Sequence, residues 1–108
     1  MDVSTFLRWA WPPNGAALQG INWRELLHNA VRQRVGEEPT SKHIVYHSEQ
    51  QTRGTISSWC TTLTVTLDDA VYTFTGVPQY SQVLAIRCAA WRGMLEMCTG
   101  GILEEPAL

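Results

Sequence analysis

Residues able to do chemistry are few and scattered along this chain. His43 and His47 stand four apart, the spacing at which two imidazoles on a helix can share a metal. They flank Ile44-Val45-Tyr46, which reads as a strand, and four residues along a strand separate side chains by about 13 Å. No cysteine or acidic pair beside them completes a four-ligand zinc set. Both read as surface or loop residues, and no metal is expected. Cys60, Cys88 and Cys98 form no CxxC pair. A nucleophilic Cys or Ser needs a base oriented by a third group, whereas Cys60 falls in a strand pattern and Cys88 in a helix pattern, where packing is the ordinary role. Gly100-Gly101 reads as a helix stop rather than a phosphate-cradling loop. The sequence assigns no catalytic residue and no cofactor, and nothing in it points to a small-molecule substrate.

Composition narrows the class further. The chain has 108 residues, 44% of them hydrophobic and 17% charged. That length suits one domain with one core, and the balance excludes a disordered or collagen-like chain. There is no apolar run of about 18 residues, so no membrane span is expected. A single Arg in the first 20 residues, with no long apolar block behind it, argues against a secretory signal. Three cysteines are an odd number, which favours free thiols in a cytoplasmic or nuclear compartment. The net charge is -2. A dedicated nucleic-acid binder draws most of its affinity from phosphate contacts and is usually basic on one face. The charge balance therefore opposes tight nucleic-acid binding.

The elements that must position these residues follow from local signals. Residues 1–20 read as an arm. Ser4 can cap a short helical turn through Phe6, Leu7 and Trp9, ended by Trp11-Pro12-Pro13-Asn14-Gly15. Asn22 followed by Glu25 resembles a capping box, and Trp23, Leu26, Leu27, Ala30 and Val31 recur at helical spacing. Gly36 and Pro39 then stop a helix of residues 22–35. Ile44-Val45-Tyr46 reads as a short strand and Gln50 to Thr55 as a turn or loop. Trp59, Thr61, Leu63, Val65 and Leu67 share one face of the next strand, with Cys60, Thr62, Thr64 and Thr66 on the other. Asp68-Asp69 turns the chain into a returning strand, Val71 to Thr75, broken by Gly76-Val77-Pro78. Ser81 can cap a final helix that carries Val83, Leu84, Ile86, Ala89, Ala90, Trp91, Met94 and Leu95. The prediction is an α+β two-layer domain of order α-β-β-β-α: a three-stranded antiparallel sheet with both helices on its apolar face. Its body is residues 21–99, and residues 100–108 form a tail.

This order resembles the double-stranded-RNA-binding domain. Ser81, Ala85, Ala89-Ala90 and Leu95 match that family's small-residue last helix, and Leu26-Leu27 match its first-helix core pair. Tyr46 with Glu49 resembles the end of its first strand, and Gly54 the approach to its second. Tyr72 or Phe74 followed by Gly76 matches its exit from the sheet. The resemblance implies contacts to RNA from the first helix, from the loop between strands one and two, and from lysines opening the last helix. The family's Ser-Lys-Lys-x-Ala-Lys reads here Ser81-Gln82-Val83-Leu84-Ala85-Ile86, so Gln82, Val83 and Ile86 replace all three lysines. Its Gly-Pro-x-His reads Gly54-Thr55-Ile56-Ser57. Its first-helix Glu is Asn29. Pro78 stands in a loop one residue longer than the family's, where a Gly is usual. Arg87 lies about 100° around the helix from Ile86 and replaces a lost lysine poorly.

The resemblance, with its charges removed, implies a non-enzymatic module whose RNA surface is degenerate and whose work is protein association. Such a unit would act as a dimerisation or adaptor element in an RNA-related complex, most simply as a homodimer. Aliphatic Val83 and Ile86 suit a protein contact better than a phosphate. Two partner-binding regions are expected. One is the edge strand, with Val71 and Thr73, which carries no charge to discourage pairing. The other is the arm, with Phe6, Trp9 and Trp11, because Trp is enriched where partners bind tightly. Trp23 and Trp91 lie on apolar helix faces and read as core. The rival reading is a weaker but genuine binder of double-stranded RNA, with Arg32, Arg34, Lys42 and Arg53 compensating. A third is a small α+β enzyme or inhibitor.

Overall fold

The computed structural model describes residues 20–104, and within them the order helix, three strands, helix is realised. The first helix, α1, spans Trp23–Val35. Asn22 caps it by accepting a hydrogen bond from the Glu25 N–H at 3.2 Å. Gly36 closes it in the left-handed conformation (φ 78°), its N–H donating to the Arg32 carbonyl. The last helix, α2, spans Gln82–Thr99, with the Ser81 hydroxyl accepting from the Leu84 N–H. No described helix is long and apolar enough to cross a membrane.

The sheet has the order β1-β2-β3, all antiparallel, with β1 at Ile44–Arg53, β2 at Ile56–Leu67 and β3 at Ala70–Thr75. Its register puts Tyr46, Leu63 and Phe74 in one row and Ile44, Val65 and Tyr72 in the next. These rows face the helices. Leu63 and Val65 are fully buried, while Thr62 and Thr64 on the opposite face keep partial exposure. The alternation predicted for β2 is thus the one observed. Thr61 is buried among these apolar residues and is satisfied by the Ser48 hydroxyl at 2.7 Å. Asp68 and Asp69 both take positive φ (50° and 66°), the requirement of a two-residue type I′ hairpin.

Helix α2 lies across the sheet, and α1 packs chiefly on α2. Small residues make that seat possible. A Cβ on Gly76 would stand 2.9 Å from the Ala89 backbone nitrogen, and one on Gly93 would stand 2.7 Å from Leu63 Cδ2. The core joins Trp23, Leu27 and Val31 of α1 to Leu63, Val65, Cys88, Trp91, Met94 and Met97. Burial of two complete indoles supplies much of its apolar area.

Three expectations change. The first strand is ten residues, not three, and Gln50 to Arg53 belong to it rather than to a loop. Only Gly54 and Thr55 remain as the turn, where Gly54 has φ 62°, as a type II′ hairpin requires of its first central residue. Ser57, expected in the loop, therefore sits in β2 opposite Thr52. Periodicity misses this ribbon because both of its faces meet solvent, and no apolar alternation remains to mark it. Finally, the packed body runs past residue 99. Leu103 is 4% exposed in the core, and the N–H groups of Ile102 and Leu103 donate to the Met97 carbonyl. The arm residues Ser4, Phe6, Leu7, Trp9 and Trp11, and the end of the tail, lie outside the described residues.

Candidate partner-binding surface

The residues matched to the family's RNA contacts fall in three separate places. Gly54 and Ser57 lie at the far end of the β1–β2 ribbon, where residues 49–57 are all exposed. Asn29 and Arg32 lie on α1, Asn29 half-buried and Arg32 exposed. Gln82, Val83 and Ile86 open α2, and Val83 is 60% exposed.

The cations expected to compensate for missing lysines are partly committed elsewhere. Arg32 faces Glu38 at 3.6 Å, and Arg34 pairs with Asp68 in the β2–β3 turn. Glu38 also takes a hydrogen bond from His28; this bond, and to a smaller degree the charges of His28 and Arg32, hold its carboxyl below the usual range. Exposed pairs of this kind contribute little stability, but each places a carboxylate where a phosphate would have to approach. Lys42 and Arg53 are exposed with no ion pair among the described residues.

At the opening of α2 the surface has a different character. Asn22, Arg24, Val83, Ile86 and Arg87 line a shallow groove of about 140 Å³ between the starting turns of the two helices. Arg24 reaches it from α1, its guanidinium 5.2 Å from the centre of the Tyr46 ring. Arg87, about 100° around the helix from Ile86, lines the same shallow groove beside α1. Tyr80, one residue before the Ser81 cap, is 90% exposed. It precedes the helix, beyond the extended Ser81 cap, whereas Val83 and Ile86 stand three apart on the first turn of α2. Sequence reasoning missed Arg24 and Tyr80. The exposure of Tyr80 outside the helix and the approach of Arg24 both depend on how the chain packs.

The edge strand carries the other predicted contact. Val71 is 64% exposed and Thr73 exposed, on a strand that, among the described residues, has a hydrogen-bonded neighbour on one side only. The sheet face they share with Val45, Thr62, Thr64, Thr66 and Thr75 also carries His47, Glu49 and Arg53 along β1.

The remaining candidates for chemistry are dispersed. His43 stands 3.9 Å from Glu37, and His47 lies in β1 at 3.1 Å from Glu49. Among the described residues no three His, Cys, Asp or Glu side chains gather as a metal site. None of the three cysteines forms a disulfide among the described residues. Burial raises the Cys88 thiol above its ordinary pKa and so keeps it from the reactive thiolate form. Burial likewise raises the Tyr46 phenol, against the opposing charge of Arg24.

Comparison of the chain with protein-family models, with curated proteins and with solved structures gives no match.

Proposed function

We propose that this chain is a non-enzymatic module, similar in order and spacing to a double-stranded-RNA-binding domain, whose work is protein association rather than RNA binding. The observation that carries the reading is Val83. It occupies a position where the resemblance puts a phosphate-holding lysine, and it leaves an aliphatic side chain 60% exposed beside half-buried Ile86. An exposed aliphatic gains from burial against a protein and gains little from a phosphate. The pairing of Arg32 with Glu38 and of Arg34 with Asp68 supports the same reading, since these cations are not held in reserve for a nucleic acid. The partner is a second copy or another protein of an RNA-related complex. Three cysteines without a disulfide among the described residues suit a cytoplasmic or nuclear site.

The rival, genuine binding of double-stranded RNA, is favoured by one feature, the exposed β1–β2 ribbon with Arg53 beside its turn. A titration with a roughly 20-base-pair RNA duplex at two salt concentrations decides between them, run beside a solution mass measurement. The expected result is no tight binding at physiological salt and a mass above that of the monomer, or a monomer that requires a heterologous partner. Sub-micromolar affinity with a steep salt slope would overturn the reading. Lysine restored together at Gln82, Val83 and Ile86 should raise duplex affinity; no gain would mean that the alignment of this helix start to the family is wrong.

A further inference from the structure

The two edges of the sheet differ in which backbone groups they present. Antiparallel strands exchange both of their N–H···O=C bonds at every second pair. The Gly76 N–H donates to the Thr61 carbonyl, so the bonded pairs between β3 and β2 continue as Phe74–Leu63, Tyr72–Val65 and Ala70–Leu67. The backbone groups of Val71, Thr73 and Thr75 therefore point away from β2, along an edge with no neighbouring strand among the described residues. Their side chains lie on the open face, while Tyr72 and Phe74 lie on the helix face. On β1 the same alternation gives the opposite result. The Thr66 N–H donates to the His43 carbonyl, so the outward groups there belong to residues such as Ile44 and Tyr46, whose side chains face the helices. Sheet edges are ordinarily blunted by charge, proline or a bulge. Strand β1 carries His47, Glu49 and Arg53. Strand β3 has no charge or proline from Ala70 to Thr75, and its register is unbroken.

Resting on the association reading above, we propose that the partner is a second copy of this chain, joined edge to edge along β3 about a two-fold axis at Thr73. Directly opposed residues of an antiparallel pair share a face, so matching outward groups to outward groups decides the geometry. Antiparallel β3 strands set Val71 opposite the partner's Thr75 and Thr73 opposite the partner's Thr73. All the outward groups of the strand are then used, two hydrogen bonds to each pair. An axis at Tyr72 or Phe74 engages fewer of them. On the helix face Tyr72 meets the partner's Phe74, and on the open face the pairs are Thr–Thr and Val–Thr, cross-strand classes that stabilise sheets. The product is one continuous sheet with the helices of both copies on the same face. Parallel β3 strands would instead set open-face residues beside helix-face residues and turn the second copy over. They would also bring the two Asp69 carboxylates side by side. Antiparallel strands hold these charges at opposite ends of the six-residue strand, more than about 20 Å apart and beyond the range of screened charges. Antiparallel pairing of β3 with β1 of another copy meets the same mismatch of faces, and parallel pairing makes a head-to-tail contact that grows past a dimer.

The test is sedimentation equilibrium of the full chain from low to high micromolar concentration, where the wild type should be a dimer. Thr73 is exposed and its backbone groups point away from β2, so a charge placed there leaves the fold intact. Thr73→Lys or Thr73→Glu alone sets like charges face to face across the axis and should raise the dimer dissociation constant by about tenfold or more. Circular dichroism of each variant checks the fold. Mixed in equal amounts, the two variants should pair with each other, because a lysine then faces a glutamate. Amide exchange should slow at Val71, Thr73 and Thr75 as concentration rises, while Tyr72 and Phe74 are protected throughout. A dimer indifferent to both variants, or variants that fail to recombine, would overturn the proposal while leaving the association reading intact. Growth past a dimer would overturn it in favour of head-to-tail contact. A wild type that stays monomeric would overturn it as well: without duplex RNA binding, the association reading then requires a different protein, and with tight duplex binding both are refuted.

Discussion

The seat of α2 on the sheet can be tested by one pair of substitutions. Gly93 lies in the middle of α2, and a methyl added there would stand 2.7 Å from Leu63 Cδ2 and 3.3 Å from Phe74 Cδ2. Gly93→Ala therefore has two opposed effects. Replacing a mid-helix Gly by Ala gains about 1 kcal/mol of helix propensity, while forcing a methyl into a packed site costs about 1–3 kcal/mol. The net expectation is a loss of about 0–2 kcal/mol. Leu63→Ala alone removes three carbons of a fully buried side chain. At about 0.8 kcal/mol per methylene the transfer loss is about 2.4 kcal/mol, and the cavity left behind brings the total into the range of about 2–5 kcal/mol. Made together, the changes should not add. With the leucine shortened, the methyl introduced by Gly93→Ala enters the vacated space, so that substitution becomes stabilising by about 1–2 kcal/mol. The expected coupling is about 1–4 kcal/mol, the order found for residues in contact. Urea unfolding followed by far-ultraviolet circular dichroism and by Trp fluorescence measures it, provided the two transitions coincide. Additivity within about 0.5 kcal/mol would refute the packing of α2 against Leu63 through Gly93.

Other outcomes follow from the same structure. Thr64→Ala, on the opposite face of β2, should stay within about 1 kcal/mol of wild type in that urea assay; a loss equal to that of Leu63→Ala would mean both faces are covered. Asp69→Gly should raise the melting temperature, because Asp69 holds φ 66° without glycine's freedom; an unchanged or lower value would contradict the turn geometry. Glu38 has a lowered carboxyl pKa, so its contribution is present above the ordinary carboxylate range and lost as pH falls through its folded value. Glu38→Gln should accordingly flatten the acid limb of a melting-temperature profile, and an unaltered limb would count against the His28 contact. Under native conditions at pH 8, Cys88 should be alkylated after half-buried Cys60 and Cys98, as mass spectrometry would record. If the arm makes the self-contact, Trp9→Ala with Trp11→Ala should shift a dimer toward monomer with circular dichroism unchanged, and unfolding would show instead that the arm belongs to the core.

Much of this fold is written locally. Asn22 and Ser81 mark the starts of both helices because their side chains cap neighbouring N–H groups, a contact needing only three residues of chain. The Leu63-Val65-Leu67 alternation fixes the buried face of β2, since a one-residue slip would bury threonines instead. Asp68-Asp69 sets the β2–β3 register for the same local reason. The sequence also shows that the opening of the last helix carries no lysine. Other features needed the third dimension. The β1–β2 ribbon is held by cross-strand backbone pairing between residues that, Ile56 apart, are polar and exposed on both faces, so it leaves no hydrophobic period to read. Leu103 joins the core only because the chain turns back over the end of α2. The commitment of Arg34 to Asp68 joins residues 34 positions apart, and no spacing rule links them. The groove of Arg24, Val83, Ile86 and Arg87 exists because two helices far apart in sequence begin side by side. Local chemistry chose the elements and their faces; only packing decided which charges met, which were already matched, and which apolar groups were left uncovered.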